Sequence, residues 1–171
     1  MSSLVVFSTS TGNTRKIADA IFSALKDTDK KIVDVNEINK VNFNKFDKII
    51  IGGWIDKGEI DEKAKEFLTK LKNKKLGLFV TMGGNPETDR AKNCFQEIKK
   101  SLEKNGNIVE KIFVCQGAID PNLINKFREM TKQGIVGPFA ATPERETRWA
   151  EAVKHPDEKD IENAKRIFGG L

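Results

Sequence analysis

The chain has 171 residues, of which 38% are hydrophobic and 32% charged, which suits one domain with a sizeable core. No apolar run approaches the ~20 residues that span a bilayer, and the N-terminus lacks a signal-type segment, so we expect a cytoplasmic protein without membrane insertion. The net charge of +5 comes from lysines interspersed with acidic residues, which argues against a nucleic-acid partner and leaves an acidic protein partner open.

A hydroxyl-rich loop follows the first predicted strand, Leu4 to Phe7, and precedes an amphipathic segment that begins at Ile17. The loop consists of Thr9, Ser10, Thr11, Gly12, Asn13 and Thr14. A helix N-terminus with hydroxyl donors and no carboxylate suits a phosphate dianion. The Walker-A and G-x-G-x-x-G spacings are both missing, which disfavours ATP, GTP and dinucleotides at this loop. Since Ser, Thr, Gly and Asn are also ordinary cap and turn residues, a purely structural turn is the alternative.

Further apolar runs of strand length follow at residues 31–35, 47–53, 76–80 and 108–115. Amphipathic segments at 60–71 and 91–102 lie between them and predict helices. This alternation predicts an α/β fold with a doubly wound, five-stranded parallel sheet and helices on both faces. Ligands in such sheets bind beyond the carboxyl ends of the strands, where two of the loops contain Gly-Gly pairs.

The pattern changes after the last strand. Residues 121–132 predict a helix with Leu123, Phe127 and Met130 inward, 143–153 a short helix carrying Trp149, and 157–168 the closing helix. We therefore predict one domain over residues 1–171, with an extra segment at 121–156 before the closing helix.

Neither cysteine nor histidine indicates a catalytic or metal site. Cys94 falls in a predicted helix and Cys115 in a predicted strand, which favours two buried free thiols in a reducing compartment. His155 is the single histidine and has no cysteine near it in the sequence, so we interpret it as structural and expect no metal.

The first loop, with its Ser-Thr-Gly-Asn-Thr core, and the loops after the third and fourth strands together resemble the flavodoxin family. The resemblance covers residues 1 to about 115 well and the last helix loosely. It implies a flavodoxin-like fold with strand order 2-1-3-4-5 and bound FMN. The first loop would then hold the FMN phosphate, the loop from Gly53 would cover one flavin face, and the loop from Thr81 would lie along the other face or the pyrimidine edge.

The cofactor-binding residues that this resemblance implies lie in three groups. They are Thr9, Ser10, Thr11, Gly12, Asn13 and Thr14; Gly53, Trp54, Ile55, Asp56, Lys57 and Gly58; and Thr81, Met82, Gly83, Gly84, Asn85 and Pro86. Trp54 is placed to stack on the flavin, although a core tryptophan is the plainer alternative.

Three features depart from the family pattern. The chain has no tyrosine to stack on the flavin, so the second face is expected to be open or covered by Phe139 or Trp149. Ile55 stands where a glycine peptide usually flips to bond the half-reduced flavin, so we expect that form to be less stabilised unless Lys57 and Gly58 supply the flip. The basic net charge is the third departure, since family members tend to be acidic.

The leading functional hypothesis is an electron carrier that takes reducing equivalents from a reductase and passes them to a partner enzyme. No catalytic dyad is apparent on the strand-end loops, which favours a carrier over an enzyme. An NAD(P)H-dependent flavin or quinone reductase, an FMN-dependent oxidoreductase on the same fold, is the alternative, and a non-redox interaction module is a third possibility. We expect a monomer or weak dimer.

Overall fold

A computed structural model describes residues 1–170 and shows helices on both faces of a mainly parallel sheet. The strands are β1 (Ser2–Phe7), β2 (Asp29–Asp34), β3 (Lys48–Asp56), β4 (Glu59–Ile60), β5 (Lys75–Met82) and β6 (Ile108–Gln116). The helices are α1 (Asn13–Ala24), α2 (Glu62–Thr69), α3 (Asp89–Glu103), α4 (Pro121–Lys132), α5 (Pro143–Ala152) and α6 (Glu158–Phe168). Two short 3-10 turns, Val35–Lys40 and Phe43–Lys45, connect β2 to β3.

The sheet order is β2-β1-β3-β5-β6, with β4 paired antiparallel to β3. Because β5 and β6 are the fourth and fifth of the strands predicted from sequence, the expected 2-1-3-4-5 order is confirmed. The short β4 is an addition that the apolar pattern did not predict.

Both faces of the sheet are buried, which explains the continuous apolar runs of its central strands. Ile49 and Ile51 of β3 belong to the core beneath α2 and α3, whereas Ile50 belongs to the core beneath α1 and α6. Both helices of each pair contribute their apolar faces, such as Phe67 and Phe95 on one side. The sheet is therefore a rigid middle layer that fixes where its strand ends lie.

The segment expected to be a loop after the third strand is a β-hairpin, which corrects the prediction. β3 continues through Asp56, and Ile55 pairs with Ile60. Lys57 and Gly58 form the turn with positive φ angles of 51° and 89°. A glycine at the second such position is favourable for a two-residue hairpin turn, and the paired backbone then extends the strand. Ile60 consequently lies in β4 and not in the following helix.

The extra segment contains the two predicted helices, α4 and α5, but Leu123 does not point inward. Leu123 is 42% exposed, and its neighbour Ile124 is the buried residue of α4. Thr81 and Met82, predicted as loop residues, form the end of β5 because they pair with β6. No helix within residues 1–170 has the length and apolarity needed to cross a membrane.

Candidate functional site

A cleft of about 690 Å³ lies beyond the carboxyl ends of β1, β3, β5 and β6. Its volume is in the range of small-molecule and cofactor sites. The walls come from four parts of the chain that are far apart in sequence. They are residues 9–14 except Gly12, residues 54–57, residues 81–84, and a group from the last third of the chain.

The first loop leads into α1 without a side-chain cap. The N-cap residue is Gly12 with φ 94°, and no side chain bonds to the first-turn amides. The other five α-helices each begin with an Asp or Thr whose side chain accepts a bond from the first turn. Since the first amides of a helix have no internal partner, those of α1 remain available to a ligand in the cleft.

Hydroxyl and amide side chains hold this loop in place. Thr9 Oγ1 accepts from the Gly12 amide at 3.0 Å, and the Thr14 hydroxyl lies 2.9 Å from that of Thr81. Asn13 Nδ2 donates to the Ala118 carbonyl at 2.9 Å, which ties the loop to the segment after β6. Ser10 is exposed and free to face a ligand. The loop is therefore uncharged and rich in hydrogen-bond donors, and its residues Ser10 and Thr11 are exposed to solvent.

Asp61, the N-cap residue of α2, joins three elements behind the cleft. It is 5% exposed and accepts bonds from Ser8 Oγ at 2.6 Å and from the amides of Trp54 and Ala64, both at 3.1 Å. Its own amide donates to the Trp54 carbonyl at 2.8 Å. One carboxylate therefore fixes the end of β1, the start of the hairpin and the start of α2. Sequence reasoning missed this residue, although an Asp before an amphipathic segment is a cap signal.

The hairpin places Trp54 at the cleft, and its turn is hydrogen-bonded to Cys94 of α3. Trp54 is partly exposed and lines the cleft, so it is not the fully buried core tryptophan of the alternative interpretation. Cys94 Sγ donates to the Gly58 carbonyl at 3.0 Å and is only partly buried, which corrects the expectation of two buried thiols. Burial, and secondarily the nearby Glu59 carboxylate, raises the pKa of the Cys94 thiol, so it stays protonated and able to donate.

The outer wall of the cleft comes from the extra segment. Phe127 stacks on Phe139 at a centroid distance of 5.1 Å and on Trp149 at 6.0 Å. Three cations also line this wall: Lys126, Arg145 and Arg148. The sequence suggested Phe139 and Trp149 as covers of a second flavin face but did not indicate the cations.

His155 has a structural environment. Its Nδ1 lies 2.6 Å from Asp160 Oδ2, and Asp160 forms a reciprocal capping box with Asp157 at the start of α6. The hydrogen bond to Asp160 raises the pKa of His155 above its usual 6.5. The three side chains could sterically hold a cation. Because their polar atoms already satisfy one another and the helix start, nothing further indicates an ion there.

The structure brings most of the predicted site residues together. Those that line the cleft are Thr9, Ser10, Thr11, Asn13, Thr14, Trp54, Ile55, Asp56, Lys57, Thr81, Met82, Gly83 and Gly84. Those that do not are Gly12, Gly53, Gly58, Asn85 and Pro86. Gly12 and Gly58 shape their turns through positive φ, and a Cβ on Gly53 would lie 2.6 Å from Asp61 Oδ2. Pro86 lines a different depression, beside Phe95 and Ile112.

Comparison with known proteins gives a consistent result. The sequence model of a protein family, described as the flavodoxin domain, matches residues 4–169 of this chain. The flavodoxin-like domain-containing protein BilS of Clostridioides difficile (strain CD3) is 34% identical over 172 residues, with 96% of this chain and 92% of that protein covered. A flavodoxin from the domain Archaea aligns with a TM-score of 0.60 at 15% identity, over 99% of this chain and 94% of its own. The two-electron-reduced flavodoxin of Megasphaera elsdenii aligns with a TM-score of 0.53 at 28% identity, over 66% of this chain and 84% of its own.

Proposed function

The chain belongs to the flavodoxin family, and from this we propose that it binds FMN in the cleft and carries electrons between redox proteins. The observation that carries the proposal is the uncapped start of α1 behind a loop of hydroxyls. A bound flavin would supply the electron chemistry, while the protein supplies position and electrostatics.

The first loop fits the phosphate of FMN. Its first-turn amides have no side-chain partner, and the first turn of α1 contains no acidic residue. The exposed hydroxyls of Ser10 and Thr11 line the same place. Free amides, hydroxyl donors and the positive end of a helix dipole together bind a dianion without a lysine or arginine.

The remaining walls fit a planar ring. Trp54 presents an aromatic side chain that is partly accessible, and the Gly83–Gly84 backbone forms another wall. Aromatic and bare-backbone surfaces let a flat ring approach closely. Asp56 lines the cleft beside them and would disfavour negative charge on a reduced flavin, whereas Lys57 and the three cations of the outer wall would favour it.

The proposed carrier role draws on the family to which the chain belongs. A relative of known structure, the Megasphaera elsdenii flavodoxin, was solved in a two-electron-reduced form. The two free thiols, one of them buried, are compatible with the reducing cytoplasm that we propose as its location. A second candidate, an NAD(P)H-dependent reductase, is favoured by Lys126 and Arg148, which could attract an anionic dinucleotide to the cleft wall.

The test of cofactor binding compares FMN with riboflavin, which lacks the phosphate. Thr11→Glu adds a carboxylate at the proposed phosphate position, and Thr11→Gln is its uncharged isostere. We expect Thr11→Glu to weaken FMN binding by more than about tenfold, to leave riboflavin binding nearly unchanged, and to exceed the effect of Thr11→Gln. Equal effects on the two flavins, or a chain that binds neither, would contradict the proposal.

The test of the carrier role follows the flavin absorbance under anaerobic conditions. A carrier stays yellow with NADPH alone and bleaches when a flavodoxin reductase is added. Rapid bleaching by NADPH alone would instead support the reductase.

A further inference from the structure

We propose that the outer face of the extra segment is the docking surface for an acidic redox partner protein. We define the outer patch as Ile135, Val136, Phe139, Arg145 and Arg148. The inference rests on the proposed carrier function and names the surface through which it would operate.

The patch is apolar at its centre. Val136 is 90% exposed, Ile135 48% and Phe139 50%. Among residues 1–170, five exposed large apolar side chains belong to the extra segment, and the other two, Met1 and Ile108, lie at strand starts on the opposite end of the sheet. Clustered exposed apolar residues on a folded chain mark an interaction site more often than scattered ones do.

The patch is rigidly presented. Arg145 Nη1 donates to the carbonyls of Gly137 at 3.2 Å and Ala140 at 2.7 Å, which fixes the loop that carries Val136. The stack of Phe139 on Phe127 anchors the other end of this loop. Arg128 forms two bonds to Glu146, at 2.7 and 2.6 Å, and joins α4 to α5. A preorganised surface loses little conformational entropy when a partner binds.

The charge at the patch is positive. The salt bridges of this segment pair Arg128, Lys132 and Lys154 with carboxylates. Lys126, Arg145 and Arg148 form no salt bridge within residues 1–170. Hydrogen bonds at the helix start lower the pKa of Glu144, and the nearby charges of Arg148 and Arg145 lower it further by a smaller amount. The guanidinium of Arg145 has further N–H donors available to a partner, since only its Nη1 bonds to the protein.

These features select an acidic protein over a membrane. Arginine and aromatic side chains are enriched at protein interfaces, and a complementary acidic surface would speed encounter. A protein partner can place its carboxylates opposite Arg145 and Arg148 alone, which form no salt bridge among the described residues. An anionic lipid surface is continuous and would also face the carboxylates Glu129 and Glu146, which are already paired with Lys132 and Arg128. Because Phe139, Arg145 and Arg148 also line the cleft, a protein docked on the patch lies beside the proposed flavin.

The experiment uses two immobilised electron carriers as probes: an acidic plant-type [2Fe–2S] ferredoxin and a basic c-type cytochrome. The FMN-loaded chain is titrated over each by interferometry at low and high salt. We compare Val136→Glu with Val136→Lys, which remove the same apolar side chain and introduce charges of opposite sign. Ile108→Glu is the control, because Ile108 is 60% exposed at the opposite end of the sheet. Vesicles containing anionic lipid form a third arm.

We expect the ferredoxin to bind more tightly than the cytochrome and to weaken with salt. Val136→Glu should bind the ferredoxin about fivefold more weakly than Val136→Lys, and Ile108→Glu should match the unmodified chain. The proposal is overturned if the ferredoxin binds no better than the cytochrome, or if only the vesicles bind. It is also overturned if the two Val136 variants bind the ferredoxin equally, or if Ile108→Glu weakens ferredoxin binding as much as Val136→Glu does.

Flavin absorbance of each variant is recorded separately. Val136 lies outside the cleft lining, so its variants should remain yellow. A colourless chain would contradict FMN binding. Interferometry does not require the flavin, so the comparison of the Val136 variants, then made without FMN, would still decide the docking surface.

Discussion

Replacement of Asp61 tests how the cleft is held together. This buried carboxylate accepts from the Ser8 hydroxyl and from the amides of Trp54 and Ala64. Asp61→Ala removes all three acceptor interactions at once. Each buried donor left without a partner costs ~1–3 kcal/mol, and relief of the carboxylate's desolvation offsets part of the sum. We expect a net loss of about 3 kcal/mol in the free energy of unfolding.

Asp61→Asn separates the two oxygens of the carboxylate. An asparagine oxygen can still accept from Ser8 and Ala64, which bond to Oδ1, but its NH₂ group then faces the Trp54 amide that Oδ2 accepts. We expect a loss of about 1–2 kcal/mol, since one buried bond is replaced by two opposed donors. FMN affinity should also fall, because the Trp54 backbone is no longer fixed at the cleft.

Both variants are measured by urea denaturation at constant pH, and FMN affinity is measured by flavin fluorescence under folding conditions. Thr88→Ala is the control: Thr88 caps α3 by accepting from the Ala91 amide at 3.3 Å, and its hydroxyl donates to the exposed Asn85 carbonyl at 3.1 Å. Loss of this exposed cap should cost about 1 kcal/mol. The reasoning is refuted if Asp61→Ala costs no more than Thr88→Ala, or if Asp61→Asn costs as much as Asp61→Ala.

Three further predictions concern the loop, the hairpin and the last helix. Gly12→Ala should lower stability by ~1 kcal/mol because φ is 94°, whereas Gly137→Ala, with equally open surroundings and no positive φ, should not; equal melting temperatures would contradict this. Trp54→Ala should raise the Kd for FMN about tenfold and Trp54→Phe much less, measured by fluorescence titration; equal losses would show that the aromatic ring is not in contact with the flavin. His155 has a raised pKa in the folded state, so it stabilises the fold below its usual 6.5, and this contribution is lost as pH rises through the higher folded value. The stability of the unmodified chain relative to His155→Gln should therefore decline with rising pH, and a constant difference from pH 5 to 9 would contradict the role given to Asp160.

The structures of the first loop and of the main sheet could be predicted because their signals are local. Leu4 to Thr14 is a contiguous strand, loop and helix start, so its residue types determine the local structure over a short span. The buried strands could be identified because a strand covered on both faces requires an unbroken apolar run, as at Ile49 to Ile51. Helices α4 and α6 also have clear start signals, with Asp120 before Pro121 and Asp157 before Glu158.

The hairpin, the support of Asp61 and the outer wall were decided by the tertiary structure. Ile55 pairs with Ile60 because β3 continues beyond its last pairs with β1 and β5. The spacing of apolar residues in the sequence does not show this extension. Ser8 meets Asp61 53 residues away, and Asn13 meets Ala118 105 residues away, across turns whose geometry depends on the packed sheet. Leu123 illustrates the same limit, since helical periodicity shows that one face is apolar but not which residue meets the body of the protein. Local patterns thus determined which segments form strands and helices, whereas the contacts that complete the cleft arise from long-range packing that each segment alone does not specify.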